Sequence, residues 1–184
     1  MGGRKRHRGH QLTSWSLLTQ TAVVSGLELS AVLALIMVII GTIAQDMFVG
    51  DYPPDIRQRY GPMSSRSARL RPFAAAIFLV PVLVIPFFGL LALRAQLSEI
   101  GFIPAFVFSA TALLVFNVFD LLVLDWLFFC TIQPRIMVLP GTEGMAGYRD
   151  YRFHFIGFLK GLGFCTIGGL LIAGLWLLAQ GIIR

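Results

Sequence analysis

Four long apolar stretches, at residues 22–44, 73–93, 103–132 and 153–179, alternate with short polar segments along the chain. Crossing the hydrocarbon core of a bilayer takes about 20 helical residues, so each stretch is long enough to do so. A segment in lipid must satisfy its backbone polar groups internally, which selects helix for runs of this length. The pattern therefore predicts an all-α, polytopic integral membrane protein: a bundle of four transmembrane helices forming a single membrane domain over residues 1–184. An even number of spans puts the N- and C-termini on the same side. The basic tail 1–14 lies with them, and loops 45–72 and 133–152 share the opposite face.

The loops carry their own signals. Pro54 suits the first turn of a short helix over residues 52–61, and Gly61 suits its left-handed stop. Residues 64–71, with Arg66, Arg69 and Arg71, read as a basic interfacial lead into the second span. In the other loop, residues 135–139 read as extended, with a turn at 140–144 around Pro140, Gly141 and Gly144. Tyr52, Tyr60, Tyr148 and Tyr151, all the tyrosines of the chain, fall on the loop face and read as an interfacial aromatic belt.

Composition agrees with a membrane chain: of 184 residues, 57% are hydrophobic and only 13% charged, too apolar for a soluble domain of this length. The net charge of +6 does not point to nucleic acid. Its positive residues sit in the tail and in residues 57–71, beside spans, where basic residues set topology and meet anionic headgroups. The implied location is the plasma or inner membrane. Lys and Arg number six on the terminal face and nine on the loop face, a weak lean to cytoplasmic loops that the dense tail opposes. The first run, about 23 residues, exceeds the 7–15 of a signal-peptide core and no cleavage pattern follows it, so an uncleaved span is expected. Cys130 and Cys165 fall at different depths and are expected as free thiols.

The fourth span carries small residues at every fourth position: Gly157, Gly161, Cys165, Gly169 and Ala173. Residues four apart share a helix face, and small ones let a second backbone approach, so a tight helix–helix seam is predicted, with an internal partner as the default. Pro81 and Pro86 each remove a backbone donor from the second span and predict a kink.

Polar residues inside the spans are the best pointer to activity, because carboxylates at membrane depth are expensive and face a protein interior or a watery cavity. At about 1.5 Å per residue, Asp120 lies about 18 Å from the loop end of its span. Glu28 falls near the same level, and Asn117 sits one turn from Asp120. Asp125 and Lys160 match in depth, about 10 Å from the loop face, and are opposite in charge. With α-helical geometry, Asn117, Asp120 and Asp125 spread over about 140° of the third span and Trp126 points the other way, toward lipid. The expected buried polar site is Glu28, Asn117, Asp120, Asp125 and Lys160, with Tyr151, Arg152 and His154 at a loop-face mouth. A second arrangement puts Asp125, Trp126 and Lys160 at the interface as anchors.

No phosphate-binding loop, dinucleotide fingerprint, serine elbow or zinc-ligand set is present in the sequence; no metal is expected, no cofactor is implied and no catalytic residue is assigned. The expected function is the handling of a cation, proton or cationic solute by a transporter or transport-complex subunit. Four spans are few for a solitary transporter, so a homo-oligomer or another membrane subunit is expected alongside the bilayer. Two other readings are a membrane-embedded enzyme acting on lipid headgroups through Asp125, His154, Tyr151 and Arg152, and a non-catalytic assembly subunit.

Overall fold

A computed structural model describes the backbone of residues 3–97 and 99–183, and side chains within 14–97 and 99–182. The side chains of the basic tail, including Arg4, Lys5, Arg6 and Arg8, lie outside the described residues, as does Arg184. The protein is all-helical. In chain order come α1 (Gly3–Ile43), α2 (Pro54–Tyr60), α3 (Ser65–Arg94), α4 (Phe102–Phe119), a π-helical segment (Asp120–Ile132) and α5 (Tyr151–Ile183), with short 3-10 turns between. Four stretches are long and apolar enough to cross a membrane: Ser14–Ile43, Ser65–Arg94, Phe102–Ile132 and Tyr151–Ile182. They extend the apolar runs into polar flanks, since α3 already begins at Ser65 and carries Arg66, Arg69 and Arg71 in its first two turns. It also runs unbroken through Pro81 and Pro86.

The chain divides into two compact units. The first comprises Met1–Leu29, Val82–Phe116 and Leu162–Arg184, the second Ser30–Pro81 and Asn117–Gly161.

The first unit is built on close helix contacts. Leu90, Leu93, Phe108, Ala112, Ala173 and Trp176 are buried within it. Gly26 of α1 lies against Val115 and the carbonyl of Ala112, and Gly169 of α5 against the backbone of Ala110, so little space separates these backbones. The Trp176 and Gln180 side chains both donate to the Ile100 carbonyl, at 3.0 and 2.8 Å. That satisfies the indole of a fully buried tryptophan and pins the turn before α4 to α5.

In the second unit the two loops fold into one packed cap. Val49, Tyr52, Ile56, Phe129, Cys130, Leu139 and Tyr148 form its core. Gln45 donates to the carbonyls of Arg135 and Val138, and Asp55 accepts from the Gly147 amide at 2.9 Å. Tyr52 and Tyr148 are therefore not belt residues. Both are buried, Tyr52 donating to the Met137 carbonyl and Tyr148 accepting from the Leu139 amide at 2.8 Å. Of the loop elements, α2 has Pro54 in its first turn and ends at Gly61 with φ 92°. Residues 135–137 form a 3-10 turn instead of an extended run. Cys130 and Cys165 are free.

The start of α3 shows how a loop residue fixes a span. Buried Asp46 accepts from the Ser64 amide at 2.6 Å and from the Ser67 hydroxyl, while Ser64 Oγ accepts from the Ser67 amide at 3.3 Å. Together these occupy donors that a helix N-terminus leaves unpaired. Burial pushes the Asp46 carboxyl up, but the hydrogen bonds from Ser67 and Ser64 outweigh it and hold it below its ordinary value. A depressed carboxyl contributes stability above its unfolded pKa and loses it as pH falls through the folded one. Asp46→Ala should therefore cost about 1–2 kcal/mol near neutral pH. The gap to wild type should close as pH drops below about 4. Unfolding midpoints of the two proteins across pH 3–7 check this, and a constant gap would show that the charge on Asp46 is not what caps α3.

Candidate functional site: an Asp–His pair on a π-helical span

The last 13 residues of the third span, Asp120–Ile132, are π-helical. The i→i+5 pattern is seen where the Gln133 amide reaches the Phe128 carbonyl at 2.8 Å, and the Thr131 side-chain hydroxyl donates to the Trp126 carbonyl at 2.7 Å. Gln133 then stops the helix in the left-handed region, φ 51° and ψ 58°. π-Helical stretches are rare, mostly single turns, and frequent at functional sites. Their consequence here is azimuthal. In an α-helix Asp120 and Asp125 would diverge by about 140°; with i→i+5 bonding, residues five apart stack on one face. Asp120, Asp125 and Cys130 share that face, and Cys130 is buried in the loop cap.

Opposite stands the start of α5. Asp150 accepts from the Phe153 amide at 2.9 Å, a side-chain cap that begins the helix there and places His154 in its first turn. His154 Nδ1 lies 3.0 Å from Asp125 Oδ1; the imidazole side chain is 7% exposed and the carboxylate 26%. The ring is wedged against Phe129 and Phe153, at 4.7 and 5.3 Å between centroids. Nε2 is buried and has no hydrogen-bond partner.

Two further acids complete the field. Asp120 is half-buried and interacts electrostatically with Asp125, His154 and Asp51. Asp51 lies in the first loop and keeps accessible surface. The protein around it strips part of its hydration and pushes its carboxyl up; Arg71 and Arg57 pull it back, and Asp125 pushes it up again. The second unit thus holds the Asp125–His154 contact and two further acids, Asp51 and Asp120, that interact electrostatically with Asp125, Asp51 also with Arg71 and Arg57. Among the described residues, no group of three or more His, Cys, Asp and Glu is placed to hold a metal ion.

The remaining residues of the expected site fall elsewhere. Asp125 pairs with His154, not with Lys160, which is exposed on α5. Glu28 is exposed on α1 and belongs to the first unit. Asn117 donates to the Phe158 carbonyl at 3.2 Å, and its amide occupies the space over Gly161, so it braces α4 against α5. Gly169 likewise meets α4 and Ala173 is fully buried, whereas Gly157 meets nothing and Cys165 is half-buried. Trp126 turns to α5 and not to lipid. Its indole donates to the Tyr151 carbonyl at 3.3 Å, its ring packs on Tyr151, and the Tyr151 hydroxyl meets Thr131 at 2.9 Å. Arg152 is exposed.

Sequence reading missed Asp51 and the role of His154 as ion partner. The available signal for Asp51 was its place eight residues beyond the end of α1. Set against known proteins, the chain matches no family model, no curated protein and no solved structure.

Proposed function

We propose that this is a multi-pass protein of the plasma or inner membrane, a bundle of four transmembrane helices with both termini on one side. It handles a cation, the proton foremost, through Asp120, Asp125 and His154, as a transporter or as the proton-handling subunit of a transport complex. The observation that carries this reading is the Asp125–His154 pair, a carboxyl–imidazole contact of 3.0 Å within segments apolar enough to span a membrane. Ionisable groups at such depth are costly and mark ion pathways and proton relays.

A proton requires no coordination sphere. It needs groups that exchange it, and carboxyls and an imidazole are such groups, Asp125 and His154 standing 3.0 Å apart. Asp51 stands at the loop end of these groups as the entry acid. Arg57 and Arg71 beside it disfavour the approach of larger cations more than stepwise proton transfer, which can proceed by neutral carboxyls. Asp120 is the inner acceptor, stacked one π-turn from Asp125.

Reconstitution into vesicles loaded with a pH-sensitive dye tests the proposal. Under an imposed gradient, wild type should move protons, and Asp120→Asn should lower that flux by about tenfold or more. Arg69→Gln, an exposed change outside these groups, should leave it unaltered. Flux in Asp120→Asn equal to wild type would remove Asp120 from the pathway and the proposal with it.

A further inference from the structure

Two charges on the apolar spans have no partner among the described residues. Glu28 is exposed on α1, and among its outward neighbours Val24 and Leu35 are 53% and 61% exposed. Lys160 is exposed on α5 between outward Ile156 and Phe164. Neither side chain makes a hydrogen bond or ion pair among the described residues. Within the described spans, and deeper than their first two turns, Glu28 is the exposed acid and Lys160 the exposed base.

Neither can escape to water cheaply. Glu28 sits about fifteen residues, roughly 22 Å, from Ile43 and about six residues, roughly 9 Å, from the start of the apolar run at Ala22, beyond the reach of its short side chain. Lys160 lies nine residues past Tyr151, about 14 Å. Charges held in hydrocarbon are paired with one another or with other protein groups.

We infer that the exposed faces of α1 and α5 form an interface between two copies of this chain, in which Glu28 of one copy pairs with Lys160 of the other. Charge complementarity selects the occupant, because the described spans, beyond their end turns, present Glu28 as an unpaired acid and Lys160 as an unpaired base on otherwise apolar outer surfaces. Measured from the loop-side ends of the two helices, their depths differ by about 8 Å, a gap that a lysine stem and a glutamate stem span when extended toward each other. Around Lys160 the surface is cut back. Gly157 and Gly163, three residues to either side, have nothing within 4 Å of where a Cβ would stand, so a neighbouring helix can approach the ammonium closely. The interface does not depend on the proton pathway; Glu28 and Lys160 take no part in it.

Two differently tagged copies co-expressed in one membrane provide the test. Capture of one tag from gently solubilised membrane should recover the other for wild type. Glu28→Lys alone and Lys160→Glu alone should each lower that recovery by about tenfold, since each sets like charges against one another. The double variant Glu28→Lys/Lys160→Glu should restore it, because the pair is re-formed with its signs exchanged. Chemical cross-linking guards against misfolded variants. With Cys130 and Cys165 replaced by Ser, a copy carrying Glu28→Cys should be joined by a flexible bismaleimide to a copy carrying Lys160→Cys, the two positions being too far apart in depth for a direct disulfide, and not to a second Glu28→Cys copy. A wild type whose tags do not co-purify, swapped charges that fail to restore recovery while single copies stay folded, or no Glu28–Lys160 cross-link would each overturn the interface.

Discussion

His154→Leu should destabilise the protein by about 3–5 kcal/mol and abolish proton flux, while His154→Leu combined with Asp125→Leu should recover most of the stability and none of the flux. The first loss follows from what the imidazole does in place. It is one side of a 3.0 Å contact with a carboxylate that is three-quarters removed from solvent. Taking one member of a buried pair away strands the other as an uncompensated charge, which is the costly half of such an experiment. Removing both leaves leucines beside Phe129 and Phe153, an apolar environment that receives them well, and replacement of a buried pair by apolar residues is often neutral. Chemical or thermal unfolding of the four proteins of this cycle, in one detergent, reads the coupling directly. A coupling energy near zero would show that the two groups do not act as a pair, and recovered flux in the double variant would take both off the pathway. The divergence between stability and flux in the double variant separates a pair that holds the fold from a pair that moves a charge.

The residues of this pair mark the limit of what the sequence displays. Apolar length alone reveals the four spans, because about 20 residues of hydrocarbon-compatible side chains admit few alternatives to helix. Depth is legible too, as a count along an axis. Azimuth is not, since it depends on the hydrogen-bond register, and nothing in the composition of Asp120–Ile132, which contains neither glycine nor proline, announces i→i+5 bonding. What accompanies that register is tertiary: Trp126 and Thr131 meet Tyr151, and Asp125 and Phe129 meet His154. These contacts lie outside any local window. The same gap explains Lys160 and Glu28, which a count along the axis brings into the polar site and which are exposed on their helices. Tyr52 and Tyr148 depart from the expected belt for a related reason. A belt and a packed loop core use the same residue, and only the partners of the hydroxyl, main-chain groups of Met137 and Leu139 here, tell them apart.

Gly26→Leu should be the most damaging single change in the first unit, and Gly26→Ala should already cost about 1–3 kcal/mol. Alanine in a helix is intrinsically favoured over glycine by about 1 kcal/mol, so the sign of the result depends on the space available. A Cβ at position 26 would lie 2.6 Å from the Val115 Cβ and 2.7 Å from the Ala112 carbonyl oxygen. Neither is the far end of a flexible side chain, so relief requires α1 and α4 to part, and overpacking of this kind outweighs the propensity gain. Gly174 on α5 is the matched control: nothing stands within 4 Å of its Cβ position, so Gly174→Ala should gain about 0.5–1 kcal/mol from propensity alone. The two substitutions are chemically identical and should move the unfolding midpoint in opposite directions. Membrane helices associate without a hydrophobic drive between them, and van der Waals contact at small residues does much of what burial does in water. An unfolding midpoint for Gly26→Ala at or above that of wild type would mean that α1 and α4 are not held at this separation, and that the closeness of their backbones is not what organises the first unit.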